Sequence, residues 1–295
     1  MFYRRKVILA IIESLNGKVD KLKLQKLLFI FNERKSKNKV YDFVPFQFGC
    51  YSFSAHADIQ TMIKKEFISE VDDKSYIKLD QTNYFNQLKK EDQRILKEVI
   101  KLFGNSKTEN VVKYTYMNYP FYAINSIIAK DILPDKYYER ILESKPKDND
   151  TILFTIGYEG ISLEEYLLRL LKNNVKLLVD VRKNPLSMKF GFSKTLLKKY
   201  CSNLDIQYIH IPDVGIVSEK RQKLDNQKDY DLLFENYKQT VLKTESKSKD
   251  EILSLLDEHN RIALTCFEAD ICQCHRLHLA KSLIDMRPDL TLKHI

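Results

Sequence analysis

The sequence predicts an α/β fold: a mostly parallel sheet with helices on both faces in the C-terminal half, preceded by a mainly helical domain. After residue 151, short runs of Ile, Leu and Val alternate with amphipathic segments, as buried parallel strands and their crossover helices do. Before residue 145, apolar residues recur mainly at helical spacing. The charged, Pro-containing segment ILESKPKDNDT lies between them. It predicts two domains, residues 1–145 and 151–295.

The N-terminal half begins with a pattern of helices and a hairpin. Residues 20–35 place leucines at helical spacing after Asp20, a good N-cap, and residues 55–67 form a second amphipathic segment. Residues 67–79 then alternate apolar and polar residues on both sides of Asp72-Asp73, which predicts a β-hairpin. Helices followed by a two-stranded wing predict a winged-helix domain, a fold that brings one helix to a DNA groove.

Two stretches in this half resemble winged-helix domains of the Panacea (SocA-type antitoxin) kind. They are LQKLLFIF and YDFVPFQFGCYSFSAHADIQTMIKKEFI, within roughly residues 5–80. Gly49-Cys50 stands where Gly-Pro is usual in that family. The resemblance implies an interaction module that binds either DNA or protein.

Positive charge is concentrated at the N-terminus. The first 39 residues carry 11 basic and 3 acidic residues, a net charge of +8, against +9 for the whole chain. Such a cluster is typical of a phosphate-backbone binder, although a lysine-rich solvated surface would look the same. The expected partner is nucleic acid, with DNA favoured. The candidate contact residues are Lys21, Lys23, Lys26, Arg34 and Lys35.

The C-terminal half reads as alternating strands and helices. Runs rich in β-branched and aliphatic residues predict strands, and amphipathic segments between them predict helices. The predicted strands are 151–156, 176–182, 206–211 and 261–267, the last of which is expected to end the sheet; the predicted helices are 163–174, 192–204, 250–260 and 274–284.

Unusual polar residues follow three of these strands. In a parallel sheet, ligands bind beyond the carboxyl ends of the strands, and the N-terminus of a helix attracts anions. The motifs GYEG, DVRKNPLS and CFEAD each follow a strand, and CHR begins the last helix. They predict one polar pocket built from Tyr158, Asp180, Arg182, Cys266, Glu268, Cys274, His275 and Arg276.

The same motifs resemble a known family. TIGYEG, LVDVRKNPLS, GFSK, IQYIHIPDVG and TCFEADICQCHR together resemble the family numbered 488 among domains of unknown function, over residues 151–285. Asp213-Val214-Gly215 departs from the Leu-Gly pair that is commoner there. The resemblance implies a site, and a role in DNA processing or phage defence. Its pattern carries over to Tyr158, Asp180, Arg182, Pro185, Ser187, Phe192, Lys194, Gly215, Cys266, Glu268, Cys274, His275 and Arg276.

These residue types favour acid, base and phosphate chemistry. Carboxylates facing a cationic sugar, with a histidine to move a proton, suit hydrolysis of an N-glycosidic bond in a nucleotide or flipped-out base. Zinc is less well supported, because Cys-x-Cys-His does not have the usual paired spacing; neither a metal nor a cofactor is predicted. The candidate catalytic residues are Glu268, Asp180, His275 and Tyr158, and the candidate phosphate or substrate contacts are Arg182, Arg276, Ser187, Lys194, Cys266 and Cys274.

The leading hypothesis is a DNA-directed hydrolase, a base- or nucleotide-excising N-glycosidase of DNA repair or phage defence. Binding of a nucleotide without turnover, in a ligand-responsive DNA-binding regulator, would use the same residues. An antitoxin-like interaction protein is the third alternative. The oligomeric state stays open.

The chain has the features of a cytoplasmic protein that does not contact membranes. No apolar run approaches the roughly 18 residues of a membrane span. The first apolar run is short and contains Glu13, unlike a signal peptide. An odd number of cysteines, 5, argues against a secreted disulfide framework.

Overall fold

The chain divides into two compact units. The computed structural model describes residues 1–35, 37–217, 224 and 226–295. One unit spans Met1–Lys145 and the other Pro146–Ile295. Within the described residues, no helix is long and apolar enough to cross a membrane.

The first unit begins with a winged-helix arrangement. Three helices alternate with a small antiparallel sheet of order β1-β5-β4, in which β4 and β5 form the wing. The predicted hairpin is confirmed, because Asp72 and Asp73 have positive φ at its turn. The predicted cap is confirmed too, since the Asp20 carboxylate accepts a hydrogen bond from the Lys23 amide at 2.9 Å. The elements are α1 (Tyr3–Glu13), β1 (Lys18–Asp20), α2 (Lys21–Glu33), α3 (Phe53–Lys64), β4 (Ile68–Val71) and β5 (Ser75–Lys78).

Further elements complete this unit. A short antiparallel hairpin lies between α2 and α3, and four helices follow the wing. The core is formed by α1 and α2, whose side chains between Val7 and Ile12 and between Leu24 and Asn32 are all buried. The additional elements are β2 (Val44–Phe46), β3 (Gly49–Tyr51), α4 (Lys90–Phe103), α5 (Thr108–Asn118), α6 (Ala129–Ile132) and α7 (Asp135–Glu143).

The second unit is the predicted α/β fold. Its five-stranded sheet has the order β10-β6-β9-β7-β8, and every neighbouring pair is parallel. The strands are continuous apolar runs because both faces are covered. The elements are β6 (Ile152–Gly157), α8 (Leu163–Lys172), β7 (Leu177–Asp180), α9 (Lys194–Ser202), β8 (Gln207–His210), α10 (Gln227–Gln239), α11 (Val241–Thr244), α12 (Ser246–His259), β9 (Arg261–Cys266), α13 (His275–Met286) and β10 (Thr291–His294).

Alternate residues of the strands face two helical layers. Leu153, Val179 and Leu264 point to one side, where they join a buried cluster with residues of α10, α12 and α13. On the other side, Thr265 accepts a hydrogen bond from the Tyr166 hydroxyl of α8 at 2.7 Å. Helices therefore cover both faces, as the fold class requires.

Two elements of this unit differ from the sequence prediction. The expectation that residues 261–267 form the last strand was wrong, because β10 adds one more at the edge beside β6. Its four residues are mostly exposed, so they carry no apolar run that would predict a strand. The helix α10 also went unpredicted, since only Phe234 and Tyr237 are buried along its length.

Candidate functional site

A pocket lies where β6, β7 and β9 end and α13 begins. It has a volume of about 280 Å³ and is called here the C-terminal pocket. Because the strands are parallel, their carboxyl ends meet at one edge of the sheet; Gly157 lies opposite Cys266, and Asp180 opposite Thr265. The lining residues are Tyr158, Arg182, Lys183, Asn184, Leu186, Ser187, Ile216, Cys266, Phe267 and His275.

Asp180 lies beneath this pocket and is fully buried. Its carboxylate accepts hydrogen bonds from Arg182 at Nε, 2.8 Å away, and at Nη2. The Tyr208 hydroxyl donates to Oδ2 at 2.6 Å. Both carboxylate oxygens of Asp180 are therefore engaged within the fold, and its catalytic role stays a prediction.

Arg182 is oriented by this carboxylate. Burial works to lower its pKa, but the hydrogen bonds and charge of Asp180 outweigh that effect and leave the pKa raised. Its Nη1 donates to the Tyr158 hydroxyl at 2.8 Å and to the Phe192 carbonyl at 2.9 Å. Most of its five N–H groups are therefore occupied. Arg182 therefore shapes the pocket wall, and it has little capacity left to bind a phosphate.

Tyr158 is held on both sides. Its ring stacks on Phe192 with centroids 4.2 Å apart and planes 10° from parallel. Its hydroxyl accepts from Arg182. Tyr158 forms part of the pocket wall, where a ligand can contact it.

Arg276 and Glu268 were predicted to line the pocket, but neither is among its lining residues. The Arg276 guanidinium is buried and donates to the Glu268 carbonyl at 2.6 Å and to the Ala269 carbonyl at 3.4 Å. Arg276 thus fastens the loop that precedes its own helix, and its role in phosphate binding stays a prediction. The Glu268 carboxylate is likewise not part of the pocket lining.

The same loop packs tightly against the end of β6. A Cβ on Gly157 would lie 1.9 Å from the Glu268 carbonyl oxygen. No other residue type leaves room for that backbone. Gly157 therefore sets how closely the β9–α13 loop approaches the sheet edge.

Three soft donor groups meet at the floor of the pocket. Cys266 Sγ lies 3.6 Å and Cys274 Sγ 3.9 Å from His275 Nδ1, and all three side chains are buried. His275 Nε2 lies 3.1 Å from the Val181 carbonyl oxygen. Burial, followed by the hydrogen bond to Cys266, raises the pKa of the Cys274 thiol. Linear spacing argued against a metal, yet folding brings these three donor atoms within 4.8 Å of one another.

The rim of the pocket carries residues that sequence reasoning missed. Lys183 is 39% exposed in its side chain, and its ammonium lies 3.7 Å from Asp213. Phe267 is 43% exposed. Both directly follow predicted residues, in DVRKN and TCFEAD, and that adjacency was the available signal.

Two predicted substrate contacts have different positions. Ser187 lines the pocket, and its hydroxyl accepts from the Lys189 amide at 3.2 Å. Lys194 is not part of the lining; its ammonium lies 3.0 Å from His210 Nδ1. Ser187 is thus placed to contact a ligand, whereas Lys194 is occupied by His210.

In the first unit, the basic residues predicted to contact nucleic acid have intramolecular partners. Lys26 is 1% exposed and donates to the Cys50 carbonyl at 2.7 Å, and burial lowers its pKa. Lys35 forms a buried ion pair with Asp92. Lys26 and Lys35 are thus buried and already paired within the fold, which weakens the case for them as nucleic-acid contacts.

The other three predicted contacts are partly exposed. Lys21 lies 2.9 Å from Glu70, and Arg34 lies 3.5 Å from Glu98. Lys23 donates to two backbone carbonyls at 2.8 and 2.7 Å. Much of the N-terminal positive charge is therefore balanced within the fold, and it is weaker support for phosphate binding than the sequence suggested.

Comparison with known proteins bears on the second unit. A search of curated proteins found no match. Residues 162–283 match a family model described as "Domain of unknown function DUF488". The matched segment runs from the residue before α8 into α13 and includes Arg182, Cys266 and His275. The C-terminal half of this chain is therefore similar to the DUF488 family over these residues, the resemblance that its motifs indicated.

Proposed function

We propose that the protein acts on nucleic acid and that the C-terminal pocket binds a single nucleotide unit. The supporting observation is the combination of two groups at this one pocket: the partly exposed Lys183 and the exposed aromatic ring of Phe267. A flexible ammonium is a good phosphate partner, and an exposed ring stacks on any base. The volume of about 280 Å³ is near the lower end of ligand pockets and suits a small ligand.

The pocket lining favours binding over turnover by its own side chains. Among the described lining residues there is no carboxylate, so the cationic sugar of an N-glycosidase mechanism would have no facing anion. Both ring nitrogens of His275 already have neighbours, at Cys266 and Val181. A nucleotide-responsive DNA-binding regulator is accordingly the function that the geometry supports best.

Hydrolytic excision of a base or nucleotide is the second candidate. The observation that favours it is the donor set of Cys266, Cys274 and His275 at the pocket floor. Such a set can hold a metal ion, which supplies the activation of water that the lining carboxylates do not. A role in DNA repair or phage defence is proposed from the family resemblance.

The winged-helix arrangement supports the nucleic-acid part of the proposal. In this fold the third helix enters the major groove, and here that helix is α3. Exposed His56 and Lys64 lie on it, and Lys65 follows it. The wing tip is acidic at Asp72 and Asp73, so we expect phosphate contacts from α3 and not from the wing. An antitoxin-like protein partner would use the same surface.

Titration calorimetry with deoxynucleoside monophosphates tests the ligand site. We expect the wild type to bind, and Lys183→Ala to weaken binding about 10-fold or more, because a charge-assisted hydrogen bond contributes about 1.5–3 kcal/mol. Lys194→Ala, outside the pocket, is the matched control and should bind like the wild type. Absence of binding by the wild type, or equal losses in both variants, would contradict the proposal.

Fluorescence anisotropy with duplex DNA tests the partner. Replacing Lys64 and Lys65 by Ala should weaken binding and reduce its salt dependence, because each phosphate contact releases counterions. Lys26→Met should leave affinity unchanged. DNA binding that is independent of Lys64 and Lys65, or that is absent while a protein binds, would instead favour the antitoxin-like alternative.

A further inference from the structure

The three donor groups at the floor of the C-terminal pocket have the geometry of a metal site. A tetrahedral zinc ion with bonds of about 2.3 Å to sulfur and about 2.0 Å to nitrogen separates neighbouring ligand atoms by roughly 3.5–3.8 Å. Here the two sulfur-to-nitrogen distances are 3.6 and 3.9 Å. A zinc ion would therefore fit between Cys266, Cys274 and His275 with shifts of a few tenths of an ångström.

The orientation of the His275 ring fits the same purpose. The Val181 carbonyl can only accept a hydrogen bond, so Nε2, at 3.1 Å, carries the hydrogen. In the neutral ring, the tautomer with its hydrogen on Nε2 turns the Nδ1 lone pair towards both sulfur atoms. Histidines that bind metals almost always donate their other N–H to a carbonyl or carboxylate in this way.

The donor types indicate which metal would bind. Both sulfur atoms lie within 3.9 Å of Nδ1. Two buried cysteines and a histidine converge from two elements, the end of β9 and the start of α13. Soft thiolates with one imidazole select zinc over magnesium or calcium, which prefer oxygen ligands.

We propose that Cys266, Cys274 and His275 bind a zinc ion whose fourth coordination position opens into the C-terminal pocket. Cys266 and His275 both line that pocket, beside Arg182 and Ser187. Three protein ligands with one open position are the pattern of catalytic rather than structural zinc. The open position would take a water molecule or an oxygen of the bound ligand. The zinc site itself does not depend on the proposed nucleotide, but a role in excision does.

Metal analysis of the full-length protein tests this site without any assay of activity. Protein purified without chelator from zinc-supplemented culture should contain about one zinc per chain by plasma mass spectrometry. Cys274→Ser should lose most of it. Cys272→Ser is the matched control, because Cys272 is two residues away and exposed, and it should keep its zinc.

Cobalt substitution of the wild type guards against variants that fail to fold. Co²⁺ in the proposed site should give the intense visible bands of a tetrahedral ion and a sulfur-to-cobalt charge-transfer band in the near ultraviolet. Three results would each overturn the proposal: a wild type without zinc or these bands, zinc lost from Cys272→Ser but kept by Cys274→Ser, or a Cys266–Cys274 disulfide in the native protein. Zinc present together with failed nucleotide binding would refute the proposed ligand and leave the metal site intact.

Discussion

Replacing Asp180 by Asn should destabilise the second unit strongly. The substitution keeps the shape of the side chain but removes the charge that neutralises Arg182, whose side chain is only 6% exposed. Breaking a buried ion pair by removing one partner costs about 3–5 kcal/mol, because the remaining charge stays buried and unpaired. We expect a loss near the lower end of that range, since the Asn oxygen still accepts one hydrogen bond.

Two further variants connect this loss to the geometry. Tyr208→Phe removes the hydroxyl that donates to Asp180 at 2.6 Å and should cost about 1.5–3 kcal/mol, as for a hydrogen bond to a charged group. The double variant should lose less than the sum of the two single losses, because both act on one carboxylate. Asp213→Asn is the control: this exposed acid lies 3.7 Å from Lys183, and its loss should change stability by less than about 0.5 kcal/mol.

Urea unfolding followed by far-ultraviolet circular dichroism measures these differences. The free energies of unfolding are compared at unchanged dependence on urea concentration, so that the denatured state is the same in each variant. A loss below about 1 kcal/mol for Asp180→Asn would refute the reasoning. Preserved stability would instead leave the buried carboxylate free for the catalytic role that the sequence predicts.

Three other outcomes follow from the structure. Gly157→Ala should disrupt folding or the pocket loop, because its Cβ would collide with the Glu268 backbone. The Cβ of Gly160→Ala meets nothing within 4 Å, so this variant should lose only about 1 kcal/mol of stability for its positive φ. Equal stability of the two variants in thermal melting would contradict this. Lys26→Met should lower the free energy of unfolding by about 1–3 kcal/mol in urea, because a buried carbonyl loses its donor, and an unchanged midpoint would argue against it. Burial lowers the pKa of His278 to about 4, so as the pH falls the unfolded chain binds a proton before the folded chain does. The contribution of this group to the free energy of unfolding is therefore complete above about pH 6.5 and is lost as the pH drops towards 4. After allowance for solvent screening, the loss is on the order of 1 kcal/mol. His278→Gln should flatten that part of the stability profile, and an identical profile would exclude this group as its cause.

The fold class could be predicted because burial leaves a strong pattern in the sequence. The strand β7 is buried throughout, and the helix α8 has a clear apolar face; both appear in the sequence as expected. The edge strand β10 could not be predicted, because its residues are mostly exposed and therefore show no apolar pattern. Its place comes from backbone pairing with β6, which any sequence of suitable length can supply.

The convergence of these motifs at one pocket could be predicted, but the partners of each side chain could not. Parallel strands end at one edge of the sheet, which places Tyr158, Arg182, Cys266 and His275 at one pocket. This topology does not determine which charged side chains pair with each other. Alternate residues of an extended strand share a face, so the Asp180 carboxylate lies beside the Arg182 guanidinium and pairs with it.

The net charge of the N-terminal segment does not show how many of its lysines face solvent. Lys26 lies in a helix whose residues are buried from Leu24 to Asn32. A long aliphatic side chain can pack there if its ammonium finds a carbonyl, and Cys50 supplies one. Counting charges along the chain does not separate such a lysine from one that faces solvent.

The central claim is that distant motifs of the second unit form one pocket that holds a phosphate-bearing ligand. A crystal structure of the full-length protein soaked with a deoxynucleoside monophosphate tests it most directly. We predict that the phosphate lies within hydrogen-bonding distance of Lys183 and Ser187 and that the base packs against Phe267. Bound nucleotide elsewhere on the protein, or a pocket that stays empty at saturating concentration, would contradict it.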